Sequence, residues 1–192
     1  MSNKAEMLFV KQNEHSYVMF LPPDMGSVKE FRKELGNSLL ENGFREADIA
    51  QIELAADEAL TNSVSANIVN QSEETIICRW RIHDFKLTLY IVDYGKGIRH
   101  DMSKEAINVS KKNLPEYLKH VRDHQSNKSD EHAGCGVDYI HKNAGQGLNI
   151  IHALMDSVKI MYHGEGTISD NPKASDIMGS ILQLGFDAHK KH

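Results

Sequence analysis

The chain has 192 residues, 40% of them apolar and 26% charged, with a formal net charge of −5 at pH 7. That length and composition are those of one globular domain with a core of its own. The negative balance excludes broad electrostatic binding to nucleic acid, and no run of about 18 apolar residues is present to span a membrane.

No internal repeat or Pro/Gly/Ser-rich linker divides the chain, so a single domain is expected over 1–192. Met1 to Lys11 lacks the apolar centre of a signal peptide. His15 to Leu21 is predicted as a first strand, stopped by Pro22-Pro23. Asp24 to Asn42 is predicted as a helix, with Ser27 and Glu30 at capping-box spacing and Gly43 just past its end. A longer helix is predicted from Glu46 to about Asn70. Two alternating runs follow. Ile76, Cys78, Trp80 and Ile82 face one way and Arg79, Arg81 and His83 the other; Phe85, Leu87, Leu89 and Ile91 then share a face opposite Lys86 and Thr88. A period of two broken at His83-Asp84 predicts a hairpin with one face covered and one wet. The chain is polar from Arg99 to Ala144, apart from a candidate helix near Leu114 to His124. Gly145-Gln146-Gly147 opens a helix bearing Leu148, Ile151, Leu154 and Met155, and Ser157–Tyr162 and Gly179–Phe186 are predicted as closing strands. Grouped helices and strands in this order imply an α+β fold with the sheet covered on one face.

Glu58 and Asn62 lie four apart on the second helix and project from one side. An amide oxygen suits Mg²⁺, which is often held by few protein groups together with phosphate oxygens. A carboxylate one turn away can accept a proton beside it. A solvated helix face is the alternative reading of the pair. Asp93 continues the covered-face series at the end of its strand, where a charge needs a partner such as a purine amine. Gly95 and Gly97 clear side chains from the backbone that follows. Gly145 and Gly147 precede a helix whose first N–H groups suit phosphate, whereas Gly164-Glu165-Gly166 has the form of a plain turn.

Asp57-Glu58-Ala59-Leu60-Thr61-Asn62, Asp93-Tyr94-Gly95-Lys96-Gly97-Ile98, Gly145-Gln146-Gly147-Leu148 and Met178-Gly179-Ser180-Ile181 together resemble the N, G1 and G2 boxes and the late Gly-Ser strand of the GHKL ATPases. The resemblance runs from about Ser16 to Phe186. Within that superfamily the chain looks most like the serine kinases that act as anti-sigma factors in bacterial partner switching. The resemblance implies a two-layer α/β sandwich (the Bergerat ATP-binding fold), its sheet mixed but mostly antiparallel, with helices on one face and an ATP lid over about 99–144. It implies ATP and Mg²⁺ as cofactors, Asn62 as the metal ligand and Glu58 as the general base toward a serine hydroxyl. Asp93 and Ser180 would read adenine, and Gly95, Gly97, Gly145 and Gly147 would shape the pocket. Of the lid cations, Lys142 is nearest the second glycine pair and is the candidate γ-phosphate contact. The implied partners are an anti-sigma-factor antagonist and a sigma factor, with a homodimer as the implied assembly. A nucleotide-sensing module without transferase activity is the alternative.

The chain departs from that pattern in two places. Ser65-Ala66-Asn67 stands where related kinases often carry His-Gly, and the lid is long. It holds His120, His124, His132, Cys135 and His141, a conceivable zinc set whose spacing matches no common module. Cys78, in an apolar strand, is expected as a buried thiol in a reducing, cytoplasmic setting.

Overall fold

The computed structural model describes residues 6–95 and 147–191. The candidate helix at 114–124, the histidine- and cysteine-bearing stretch, Gly97, Lys142 and Gly145 lie outside the described residues.

Among the described residues seven strands form one sheet: β1 (Leu8–Asn13), β2 (Ser16–Leu21), β3 (Ile76–His83), β4 (Lys86–Val92), β5 (Ser157–Gly164), β6 (Thr167–Ser169) and β7 (Gly179–Asp187). Their order is β1-β2-β3-β4-β7-β5-β6, and every pairing in it is antiparallel. Among the described residues three α-helices accompany the sheet: α1 (Gly26–Glu41), α2 (Glu46–Val69) and α3 (Gly147–Leu154). This is the expected α+β sandwich, except that the described strands pair only antiparallel where a mixed sheet was expected. No described helix is long and apolar enough to cross a membrane.

Alternation decides which face the helices cover. Tyr17, Met19 and Leu21 on β2, Ile76, Cys78, Trp80 and Ile82 on β3, and Leu87, Leu89 and Ile91 on β4 are all buried. They meet Phe31, Leu35 and Leu39 of α1 and Ile52, Ala55, Ala56, Ala59 and Leu60 of α2 in one core. Trp80 is fully buried and donates its indole N–H to Ser38 Oγ at 2.8 Å, so the indole meets its one polar need inside the core. The Cys78 thiol is likewise buried, and desolvation pushes its pKa up. The opposite face is open: Arg79 and Arg81 are exposed there, as the alternation predicts. One row of that face, Phe20, Ile77, Val92, Ile181 and Met161 in register across five strands, is half-buried and apolar.

Local chemistry differs from expectation at several ends. α1 closes as predicted: Gly43 has φ +77°, its N–H reaches Leu40 O, and the Phe44 N–H reaches Leu39 O, a Schellman arrangement. Its start does not use the Ser27/Glu30 box. Ser27 Oγ donates to Pro22 O, and Asp24 Oδ1 accepts from the Ser27 N–H instead. Phe85 is not part of β4. Asp84 and Phe85 both have positive φ, 50° and 53°, and form the two-residue turn of the β3–β4 hairpin. This backbone is unusual for phenylalanine, and the ring packs between Phe44 and His189, which compensates it. β1, for which no strand is expected, adds an edge to β2. Its six residues are all exposed, though Phe9 stacks on Tyr17 and Trp80. β6 is a further short strand, joined to β5 through the turn at Gly164-Glu165-Gly166.

Candidate functional site

The site lies where α2, the end of β4, the start of β7 and the start of α3 come together. α2 begins with Glu46 and Asp48 in its first turn, acidic groups suited to the positive end of a helix dipole. Its core stripe, Ile52, Ala56, Ala59 and Ser63, lies on the sheet, and its next face carries Glu58 and Asn62, both half-buried. α3 packs along α2, and Gln51 Nε2 donates to Leu154 O at the far end of the pair.

This packing brings Gly147 onto the Glu58–Asn62 pair. A Cβ built at Gly147 would stand 3.0 Å from both Glu58 Oε2 and Asn62 Nδ2. The first turn of α3, whose leading N–H groups have no partner within the helix itself, therefore abuts the carboxylate and the amide of α2. Burial holds the Glu58 carboxyl above the usual range, and the neighbouring Asp57 charge adds to the shift. Asp57 pairs with Arg32 of α1, yet burial still leaves its pKa raised; its Oδ1 and the Arg32 Nε have no hydrogen-bond partner among the described residues.

Asp93 continues β4 on the covered face and is 1% exposed. Its four acceptor positions are all engaged. Oδ1 accepts from the Gly95 N–H at 3.0 Å and the Ser180 N–H at 3.2 Å, and Oδ2 accepts from Ser63 Oγ at 2.9 Å and Ser180 Oγ at 2.7 Å. Desolvation raises its pKa, while the bonds from Ser180, Ser63 and Gly95 oppose the rise. Ser180 reaches Asp93 because β7 inserts between β4 and β5, which places residues 87 apart in the chain on neighbouring strands.

The turn after Asp93 is fixed from α2. Asn67, fully buried, accepts from the Tyr94 N–H at 2.9 Å and donates to Glu74 O, and Asn70 donates to Tyr94 O at 3.0 Å. Gly95 lies against the helix: a Cβ there would overlap the Ala66 Cβ and come within 2.9 Å of the Ala66 carbonyl carbon. Ser65-Ala66-Asn67 thus has a structural account, since the small Ala66 admits Gly95 and Asn67 anchors Tyr94.

Of the residues singled out from sequence, the structure gathers Glu58, Asn62 and Gly147 in one group and Asp93, Gly95 and Ser180 in another. Ser63, next to Asn62 on α2, bonds to Asp93 and so links the two groups. Ser63, Asn67, Asn70 and His163 were not foreseen. Only Ser63 carried a local signal, one step along the helix from Asn62.

No curated protein matches the chain. The sequence pattern of the histidine kinase-like ATPase domain matches residues 21–169, a span that includes α2, the β3–β4 hairpin and α3. The chain therefore belongs to the histidine kinase-like ATPase domain family.

Proposed function

We propose that this chain is a cytoplasmic ATP-dependent serine protein kinase and anti-sigma factor, whose substrate is an anti-sigma-factor antagonist. The observation that carries the proposal is the meeting of Gly147 with Glu58 and Asn62, which sets a phosphate-suited helix start against a metal-suited amide and a basic carboxylate. The donor set fits a magnesium nucleotide. Asp93 offers a buried acceptor for an adenine amine, and Asn62 offers a hard amide oxygen. A Cβ at Gly147 would press on both Glu58 and Asn62, so glycine is what lets the start of α3 come this close to the pair.

Within Asp93 the two oxygens differ in a way that suits exchange. Oδ1 holds two peptide N–H groups fixed by the fold, whereas Oδ2 holds only hydroxyls, which rotate. Oδ2 is therefore the atom that would take an adenine amine, with Ser63 or Ser180 turning aside. Glu58 would take the proton of the partner's serine hydroxyl, and its raised pKa makes it a stronger base than an exposed glutamate. Magnesium ATP supplies the phosphoryl group and the neutralising charge, so the protein's own part is chiefly positioning.

The test is phosphate transfer from labelled ATP to candidate serine-bearing antagonists, alongside calorimetric ADP binding, for wild type and Glu58→Gln. Transfer by wild type, its loss by at least about 100-fold in the variant and unchanged ADP affinity are expected. ADP binding with no transfer to any antagonist would leave a nucleotide-sensing module and overturn the kinase.

A further inference from the structure

His163 ends up on the opposite face of the sheet from the Asp93 carboxylate, yet it holds the backbone of that residue. It sits on β5 on the open face, in register with Gly179 of β7. Its Nε2 lies 2.7 Å from the carbonyl oxygen of Asp93, 70 residues away in the chain. A carbonyl can only accept, so His163 carries its proton on Nε2 and donates. The imidazole also meets the Tyr94 ring edge-to-face, centroids 5.0 Å apart at 77°. Gly179 is what lets it cross the intervening strand: a Cβ there would overlap both the Asp93 carbonyl oxygen and His163 Nε2.

The backbone of Asp93, Tyr94 and Gly95 is thereby tied group by group. The Asp93 N–H goes to Ser180 O, its carbonyl to His163, the Tyr94 N–H and carbonyl to Asn67 and Asn70, and the Gly95 N–H to the Asp93 carboxylate. The strand ladder ends here, because β4 stops at Val92. The Asp93 carbonyl therefore depends on a side chain for its partner. Losing His163 leaves that carbonyl without its donor and removes one of the two bonds on the 93–94 peptide, the other being from the Tyr94 N–H to Asn67, so the backbone that carries the carboxylate is held less tightly.

We propose that His163 is a positioning residue for adenine-nucleotide binding, acting from the open face through the Asp93 peptide. The proposal rests on the reading of Asp93 as the adenine acceptor. It also joins the two faces of the sheet: whatever displaces the His163 ring on the open side weakens nucleotide binding on the covered side.

The experiment measures ADP affinity by calorimetry, and melting temperature, for the full chain and for His163→Gln, His163→Phe and His163→Ala. Gln restores an N–H donor without the ring. Phe keeps a ring against Tyr94 without the donor. Affinity is expected to fall about 5- to 10-fold in Phe and Ala, the worth of one hydrogen bond, and to stay within about 2-fold of wild type in Gln. A purely structural histidine would instead make affinity follow melting temperature. Wild-type affinity in the Phe variant, or a Gln variant as weak as Ala, would overturn the role of His163 while leaving Asp93 in place. Failure of the wild-type chain to bind ADP would sink the reading of the site and this proposal with it.

Discussion

Glu58 and Asp93 are both carboxylates raised by burial, but the fold treats them differently. Asp93 has four donors to offset its desolvation, whereas Glu58 has the charge of Asp57 beside it, which adds to the cost of ionising. Replacing Glu58 by Gln removes a disfavoured charge at little change in volume. We expect Glu58→Gln to raise the melting temperature at pH 7.5 by about 1–3 °C. The gain should vanish below about pH 4, where the carboxyl is protonated in the folded and the unfolded chain alike, and scanning calorimetry at the two pH values checks both. A lower melting temperature at pH 7.5 would mean that the Glu58 charge is compensated after all. At Asp93 the hydroxyls matter most. An asparagine side chain in its place can keep its oxygen on the Gly95 and Ser180 N–H groups and turn its amide toward Ser63 and Ser180, whose oxygens can accept. Asp93→Asn should therefore melt within about 2 °C of wild type while losing most of its ADP affinity, measured by calorimetry. A variant that unfolds would show that the carboxylate's charge holds the fold.

Between elements, the site depends on how closely the β4 turn approaches α2. Gly95 rests on Ala66, so Gly95→Ala forces a methyl into the helix and should cost about 1–3 kcal/mol in urea unfolding, with loss of ADP binding. Adding Ala66→Gly removes the Cβ that is struck and should recover part of both losses; no recovery would place the strain elsewhere. Which elements could be read from sequence follows from where their signals lie. The β3–β4 alternation is a local periodicity enforced by a single covered face, so it was legible, and with it Asp93, while Glu58 and Asn62 were legible from their four-residue spacing on one predicted helix. β1 was not, because its residues are all exposed and carry no alternation between covered and wet faces. Phe85 hid the hairpin turn, since nothing in a phenylalanine advertises positive φ; packing against Phe44 and His189 selects it. Asn67, Asn70 and His163 act on Asp93 and Tyr94 across 27, 24 and 70 residues. Those distances are closed by strand order and helix packing, which no short motif encodes.

Taken as a whole, the molecule gathers its disfavoured carboxylates along α2 and the end of β4. Glu53, Asp57, Glu58 and Asp93 all have raised pKa values, with burial the first cause in each. In the unfolded chain these groups titrate in the ordinary range of about 4. Across the interval above it, the native state holds more protons than the unfolded state, so stability falls as pH rises. These groups contribute most below their unfolded pKa values, and the contribution is lost as pH passes through the raised folded values. Glu53 and Glu58 can be neutralised without breaking an ion pair, whereas Asp57 is held by Arg32 and Asp93 by its four donors. The difference in melting temperature between wild type and the double variant Glu53→Gln/Glu58→Gln isolates their share from that of every other titrating group. We expect that difference to be near zero at about pH 4 and to grow in the variant's favour as pH rises above it. Parallel curves would mean that water reaches both carboxylates freely, and that burial does not hold their pKa values up.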